Sequence, residues 1–262
     1  MSIYKNAFKD VVDALNGYPL WVYMAGSDIR LRYRGSTLGP IWITISMIIF
    51  IGSLSVVYSR LLKQEINYYI PYLTCGLLLW TYISTVITES SEIFMSSKEF
   101  IEGMKIPYFL FIMRMIWRNF LIFLHNFVVY LLVIWIFPIK LNFYILLAIP
   151  GFILVTANLA AISLIISLIG TRFRDLPPII TAAITVVFFV SPITWQSKMI
   201  GNDSLIIKLN PISYFLDLVR SPLLGLAPHM SSVFFCLILF LVLSACAFRF
   251  FAHKRIYIPF WL

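Results

Sequence analysis

Apolar residues are concentrated in six long runs along the chain, and short polar segments separate these runs. The runs cover residues 41–61, 71–88, 109–137, 144–169, 179–195 and 232–251. An α-helix rises about 1.5 Å per residue, so about 20 apolar residues cross the hydrocarbon core of a bilayer. Backbone polar groups in lipid must be bonded within the segment, which favours helices over open strands. The pattern therefore predicts an all-α, polytopic membrane protein with six transmembrane helices.

Residues 4–15 precede the first run and follow a helical period. The apolar face holds Tyr4, Phe8, Val11, Val12 and Leu15, and the polar face holds mostly Lys5, Lys9, Asp10 and Asp13. This pattern predicts an N-terminal amphipathic helix that lies in the membrane surface. A helix packed on another protein is the alternative. We expect residues 1–40 to form this interfacial segment and residues 41–251 to contain the spans. Residues 252–262 are then a cytoplasmic tail, and one membrane domain covers residues 1–262.

The segment between the fifth and sixth runs is too apolar for a solvated loop. It reads KLNPISYFLDLVRSPLLGLAPHM over residues 208–230. Asn210 can cap a helix that begins with Pro211. We therefore expect one or two short re-entrant helices on the outer side. Such helices are tolerated at membrane depth only where they are buried in protein or line a cavity.

The distribution of lysine and arginine predicts the orientation. With both termini in the cytoplasm, the basic residues outside are Arg60, Lys63, Lys140, Lys198, Lys208 and Arg220, and all the others lie inside. The excess of inner basic residues agrees with the positive-inside rule and with an even number of spans. The net charge of +9 then reflects cytoplasmic loops and contact with anionic membrane lipids. It does not indicate a nucleic-acid partner.

The overall composition excludes an ordinary soluble domain. The chain is 61% hydrophobic and 12% charged, whereas soluble domains carry about 45–50% apolar and about 25% charged residues. The three cysteines, Cys75, Cys236 and Cys246, are scattered within apolar runs and predict buried free thiols rather than a metal site.

The chain lacks the patterns of a membrane enzyme. It has no GxxxxGK[ST] phosphate loop, and its three histidines, His125, His229 and His253, lie far apart. None of its eleven acidic residues falls inside a predicted span. Ion-coupled carriers usually keep carboxylates within the membrane, and a hydrolase or glycosyltransferase needs clustered acids or a metal site. We therefore predict a transport protein with no catalytic residue, cofactor or metal of its own, powered by a partner.

The inner loop after the second run is the candidate contact for that partner. Its charged residues are Glu89, Glu92, Lys98, Glu99, Glu102 and Lys105. The sequence SSKEF predicts a helix start, with Ser96 or Ser97 at the cap and Glu99 in the first turn. The loop is thus expected to contain a docking helix. An ordinary solvated connector is the alternative.

Three motifs resemble those of permeases of ABC-2 type polysaccharide exporters. DIRLRYRGSTLGPIW (28–42) resembles the stretch before the first span of that family, TRFRDLPPII (171–180) the loop between its fourth and fifth spans, and NPISYFLDLVRSPLLG (210–225) its outer re-entrant segment. The resemblance covers essentially the whole chain. One departure concerns the first span: the family pattern has a proline shortly after the tryptophan, and residues 43–47 contain none.

The resemblance implies a homodimer of permeases joined to two ATP-binding cassette subunits, which would hold the ATP and Mg. It implies export of a lipid-linked polysaccharide such as O-antigen, capsule or teichoic acid. The inner loop would then be the coupling helix seated in the ATPase. The cytoplasmic (inner) membrane of a Gram-negative bacterium is the expected location. An ABC-2 permease for drugs or lipids and an ion-coupled secondary carrier are the alternatives.

Five arginines are candidates for an inner gate. They are Arg30, Arg32 and Arg34 before the first span, and Arg172 and Arg174 between the fourth and fifth. On a helix Arg30 and Arg34 would share a face, and Gly35 with Gly39-Pro40 would let the chain turn into the first span. Arginine binds phosphate in a bidentate manner, so these residues could meet the pyrophosphate of the substrate. Topological anchoring is the alternative. Arg114 and Arg118, one turn apart in the third run, are expected to snorkel to the interface.

Aromatic side chains near the outer end of the fifth run are candidates for the sugar path. Sugars stack on aromatic faces, and Phe188, Phe189 and Trp195 are placed for such contacts. Packing within the protein or a belt facing lipid is the alternative.

Overall fold

A computed structural model describes residues 3–39, 41–62, 65–137, 139, 142–199 and 204–262. Pro40, Lys63 and Lys140, which entered the predictions above, lie outside the described residues. The helices are α1 Ile3–Asn16, α2 Tyr18–Arg32, α3 Ile41–Leu61, α4 Ile66–Ser90, α5 Lys98–Gly103, α6 Tyr108–Ile136, α7 Ala148–Arg172, α8 Leu176–Val190, α9 Leu205–Lys208, α10 Pro211–Leu223, α11 Met230–Lys254 and α12 Ile258–Trp261. The described residues form no β-strand, so the all-α prediction is confirmed.

Within the described residues, five helices are long and apolar enough to cross a membrane. They correspond to the first four predicted spans and the sixth, and they confirm a multi-pass membrane protein. The fifth run forms the shorter apolar helix α8, Leu176–Val190. Its 15 residues extend over about 22 Å, so α8 alone does not traverse the full hydrocarbon core.

Helix α8 ends before Trp195, where the predicted span ended, because of Pro192. A residue before proline is disfavoured in the helical region, and Ser191 is extended at φ −88° and ψ 145°. Proline also lacks the N–H that the next helical hydrogen bond would need. Residues 191–196 therefore continue the chain without a helix.

The bundle is built around α4. Nearly three quarters of the residues in the most apolar stretch of α4 are buried. The corresponding fraction is less than a fifth for α3 and α11. Helix α4 packs against α3, α6, α7, α8 and α10, whereas α3 and α11 keep long exposed apolar faces. Because water cannot solvate such faces favourably, they are suited to lipid or to another protein.

The bundle has two distinct ends. At the "terminal end", α1 and α2 lie beside the start of α6, together with residues 91–107 and the segment after α11. At the "distal end", α9, α10 and residues 191–196 pack near the start of α7. Residues near both ends of the sequence thus meet at the terminal end, where Tyr4 contacts the rings of Phe248 and His253.

Helix α1 has amphipathic character, but one predicted position is wrong. Tyr4, Phe8 and Leu15 are exposed as an interfacial helix requires, whereas Asp10, predicted on the polar face, is buried. Its carboxylate accepts hydrogen bonds from the backbone N–H groups of Tyr108 and Phe109, at 3.2 and 3.1 Å. The first turn of α6 has unpaired N–H groups and a partial positive charge, which explains why a carboxylate is buried there. Burial raises the pKa of Asp10.

The predicted re-entrant segment forms α9 and α10. The Asn210 side chain accepts from the N–H of Ile212 at 2.9 Å, and Pro211 begins α10, as predicted. Helix α10 packs against α4, α7 and α11. Gly151 of α7 allows the carbonyl of Leu218 to approach so closely that any Cβ would collide with it. Helix α10 is therefore covered by neighbouring helices, which is required of a re-entrant helix at membrane depth.

Candidate functional site

Two arginines of α6 bind two acids at the terminal end. Arg114 donates from Nε and Nη2 to the two carboxylate oxygens of Asp28 on α2, at 2.8 and 2.5 Å. Arg118, one turn further along, donates to Asp28 at 2.9 Å and to Glu89 of α4 at 2.7 Å. We call Asp28, Glu89, Arg114 and Arg118 the arginine network. It joins α2, α4 and α6 through bidentate and charge-assisted hydrogen bonds.

The arginine network is largely shielded from solvent. The side chains of Arg114 and Arg118 are 15% exposed and that of Asp28 is 14% exposed. Glu89 also accepts from the Asn119 amide at 2.6 Å and lies 3.6 Å from a guanidinium nitrogen of Arg32. Arg114 and Arg118, which were expected to snorkel, bind carboxylates of α2 and α4. Their spacing of one helical turn indicated that the two arginines share a face, but it did not identify Asp28 and Glu89 as their partners.

The inner loop forms a folded platform. Residues 91–97 make consecutive turns with Ile93 and Phe94 buried, and α5 follows. Ser97 occupies the predicted cap position without a side-chain cap bond, and Glu99 lies in the first turn. A Cβ at Gly170 would collide with the carbonyl of Ser91, so the platform is seated tightly on the end of α7.

The predicted coupling residues separate into two groups. Glu92, Lys98, Glu99, Glu102 and Lys105 are exposed on the platform. Lys98 lies 3.6 Å from Glu102 and donates to the main-chain oxygen of Leu262 at 2.7 Å. Glu89 is different because it belongs to α4 and binds inside the arginine network. Only the first group has exposed side chains.

The predicted gate arginines near α2 do not share a helical face. Helix α2 ends at Arg32, and Arg34 lies in the following turn, since Gly35 at φ +84° changes the chain direction. Arg30 is exposed, with its guanidinium 6.0 Å from the ring centroid of Tyr23. Arg32 faces Glu89.

The second pair of gate arginines lies between α7 and α8. Arg172 contacts the rings of Phe173 and Trp261 at 5.5 and 5.4 Å from their centroids, which ties the end of α7 to α12. Arg174 is exposed in the connecting turn. The five gate candidates thus belong to the terminal end, and Arg30, Arg32 and Arg172 contact different groups.

The three predicted channel aromatics lie together. Phe188 contacts the rings of Trp80 and Phe189, with centroids 5.6 and 5.3 Å apart. The indole N–H of Trp195 donates to the carbonyl of Phe189 at 3.1 Å. Phe189 is 63% exposed. This cluster offers ring faces at the distal end of α8.

Tyrosines and an arginine, which sequence reasoning missed, hold the segment that follows α8. Tyr69 donates to the carbonyl of Thr194 at 2.7 Å, and Tyr72 donates to that of Trp195 at 2.9 Å. Arg220, predicted in the outer loop, is buried, donates to the carbonyl of Pro192 at 2.6 Å and lies 4.0 Å from the ring centroid of Tyr72. These donors satisfy carbonyls that no helix satisfies.

A partly open cavity of about 320 Å³ lies between α3, α4 and α6. Its wall is mostly apolar, with polar side chains contributed by Ser46, Thr81, Tyr82, Thr85, Asn119 and Asn126. It meets the arginine network at Asn119, which binds Glu89.

Comparison with known proteins identifies the family. Residues 19–224 match the sequence model of the ABC-2 type transporter family. The chain is 24% identical over 201 residues to the O-antigen export system permease protein RfbA of Klebsiella pneumoniae, covering 75% of this chain and 76% of the relative. It is 23% identical over 205 residues to the protein of that name from Myxococcus xanthus, covering 74% and 75%. Because the matched region exceeds half of its length, the chain belongs to the ABC-2 type transporter family.

Proposed function

We propose that the chain is the channel-forming permease subunit of an ATP-driven exporter of lipid-linked polysaccharide, with O-antigen as the substrate. The observation that carries this proposal is the similarity to O-antigen export permeases over three quarters of the chain. The cytoplasmic membrane of a Gram-negative bacterium is the corresponding location, with both termini inside. The lysine and arginine distribution supports this orientation.

The platform supports an ATP-binding cassette partner. It presents exposed carboxylates and lysines on α5 and the preceding turns, while its underside is buried against α7 at Gly170. If a partner moved the platform, the bundle would move with it, because close-packed interiors deform little. The partner would hold the ATP and Mg, and this chain would contribute no catalytic group.

A second copy of the chain would complete the channel. None of the residues of α8 is fully buried, and α3 buries only a narrow stripe. One copy therefore leaves these two helices largely uncovered by protein. With a second copy facing them, Phe188, Phe189 and Trp195 would line a path on which sugar rings stack.

The exposed arginines at the terminal end support an anionic lipid carrier. Arg30, Arg34 and Arg174 have exposed side chains near the expected inner surface. Guanidinium groups bind phosphate oxygens in a bidentate manner. We propose that they receive the pyrophosphate of the carrier before the sugar chain enters.

Affinity purification from native membranes in mild detergent tests the proposal. We expect a P-loop ATPase at one-to-one stoichiometry, lost when Glu92, Glu99 and Glu102 are all changed to lysine. Glu65→Lys, a charge reversal of an exposed acid near the distal end, is the matched control and should retain the ATPase. Purification of the wild-type chain alone, under conditions that preserve other membrane complexes, would contradict the proposal.

An export assay separates the alternatives. Deletion of the chain should make a lipid-linked glycan accumulate inside the cell. Export should stop with an ATPase inhibitor and continue with an ionophore. The reverse sensitivity would indicate an ion-coupled carrier, and accumulation of a drug or lipid without glycan would indicate a different ABC-2 substrate.

A further inference from the structure

Arg114 touches two elements that do not span the membrane. One side of its guanidinium binds Asp28 of α2 through two hydrogen bonds. The guanidinium carbon also lies 5.5 Å from the ring centroid of Phe100 in α5, within the range of a cation–π contact. A single side chain of α6 therefore contacts both α5, in the platform, and α2, which bears Arg30 and Arg32.

Arg118 makes a second connection between the same regions. It binds Asp28 of α2 and Glu89 of α4. Glu89 lies in the last turn of α4, which ends at Ser90, directly before the platform begins. The arginine network thus meets the platform at two points, at Glu89 before it and at Phe100 within it.

The hydrogen bonds of the arginine network indicate that the Arg118–Asp28 bond is the one that can break at the lowest cost. Asp28 binds both arginines, and Arg118 binds both acids. If the Arg118–Asp28 bond breaks, Asp28 keeps its bidentate bond to Arg114 and Arg118 keeps Glu89. No shielded charge is left unpaired, which would otherwise be costly. Within the arginine network, α2 then remains joined to α6 through Arg114.

We propose that the arginine network, together with Phe100, makes the position of α2 follow the position of the platform. Asp28 and Glu89 are then positioning residues for transport: they touch neither ATP nor substrate, and they place the arginine-bearing end of α2. This inference rests on the proposed function, because it needs an ATPase to move the platform.

The first test measures export per ATP hydrolysed in the complete complex with the ATPase subunit. Asp28→Asn keeps the size of the side chain and removes its charge. We expect the complex to assemble and hydrolyse ATP, with export per ATP lowered about tenfold, as loss of a charge-assisted hydrogen bond predicts. Asp28→Glu, which retains the charge, should restore most of the coupling. Asp13→Asn, the same change at an exposed acid of α1, should leave export per ATP unchanged.

A purely structural role gives a different result. It would lower the amount of folded Asp28→Asn complex, or its thermal midpoint, while each remaining complex exported normally per ATP. That outcome would overturn the inference. Phe100→Leu provides a second variant that keeps an apolar side chain and loses only the ring. We expect partial uncoupling, and unchanged coupling in both variants would also overturn the inference.

The second test follows the motion directly. Spin labels at Leu31 and Gly103, both exposed, report the separation of α2 and α5. Cys246 is exposed and not buried as predicted, so a Cys246→Ser background avoids labelling it, while Cys75 and Cys236 are buried. The wild-type distance distribution should change when ATP is added, with a smaller change in Asp28→Asn.

The outcomes distinguish the two levels of proposal. A wild-type chain that binds no ATPase would overturn the proposed function and this inference with it. A wild-type complex that couples ATP to export, with the same motion and the same coupling in Asp28→Asn, would overturn the inference alone.

Discussion

The arginine network and the groups that hold the segment after α8 bind different kinds of partner. At the terminal end, the charged side chains of Asp28, Glu89, Arg114 and Arg118 bind one another across three helices. At the distal end, Tyr72 and Arg220 bind backbone carbonyls of the segment after α8. Paired side chains can exchange partners, whereas a carbonyl is fixed by the course of the chain. The comparison indicates that side-chain pairs join α2, α4 and α6, whereas the segment after α8 is held through its backbone.

Close glycine contacts occur at both ends: Gly170 admits the carbonyl of Ser91 at the terminal end, and two further contacts lie at the distal end. A Cβ at Gly76 of α4 would lie 3.0 Å from the carbonyl of Ile193, and Gly151 of α7 admits the carbonyl of Leu218. Backbone packed against backbone leaves no flexible side chain to yield. Helix α10 and residues 191–196 are therefore fixed to the helices that surround them.

The largest expected effect is at the terminal end. Arg118→Met should lower the free energy of unfolding by about 3 kcal/mol, because breaking a shielded ion pair leaves Glu89 and Asp28 under-compensated. Arg30→Met, at an exposed arginine, should change it by less than about 0.5 kcal/mol. Thermal unfolding in detergent measures both. Equal effects would show that the arginine network contributes no stability beyond that of a surface charge.

The next effect concerns backbone packing at the distal end. Gly151→Ala should destabilise the protein by about 2 kcal/mol, since the new Cβ forces α7 and α10 apart. Gly52→Ala is the matched control, because nothing lies within 4 Å of a Cβ there. Unfolding midpoints of the two variants give the difference. A tolerated Gly151→Ala would show that α10 can shift.

A smaller effect is expected from a single hydroxyl. Tyr72→Phe removes the donor to the carbonyls of Pro192 and Trp195 and should cost about 1 kcal/mol. Arg220 still binds the Pro192 carbonyl, which limits the loss. Tyr68→Phe, at an exposed tyrosine, should be close to neutral. Hydrogen exchange of residues 193–196 should increase in Tyr72→Phe alone, and unchanged exchange would contradict a holding role.

The smallest effect is a pH dependence of stability caused by Asp217, which lies on α10 and binds the start of α11. Although burial opposes ionisation, hydrogen bonds from Ser221, Ser232 and His229 lower the pKa of Asp217. The unfolded chain then binds the proton first, so ionised Asp217 stabilises the fold above the ordinary aspartate pKa. This contribution is lost as the pH falls through the lower folded pKa.

The matching measurement compares wild type with Asp217→Asn from about pH 7 to about pH 3. The wild type should be more stable at neutral pH, and the difference in unfolding midpoint should shrink below about pH 4. A difference that does not vary with pH would show that hydrogen bonding alone, rather than the charge, makes Asp217 stabilising.

The hydrophobic pattern allowed much of the fold to be predicted. Long apolar runs identified the spans, and Asn210 with Pro211 identified the start of α10. The predicted channel aromatics proved to be neighbours because they are close in sequence. These agreements share a cause: each depends on residues that are close in sequence, and the backbone of a long apolar run in lipid must satisfy its hydrogen bonds internally.

The sequence by itself determined the all-α membrane fold and the exposed, charged platform, because apolar length and charge are properties of contiguous residues. Only the tertiary structure decided that Asp28 and Glu89 bind Arg114 and Arg118, and that Asp10 caps α6 from α1. These partners are separated by 29 to 99 positions along the chain. No short-range pattern encodes which distant charge a buried side chain meets; that is settled when the helices pack and every shielded charge must find a partner.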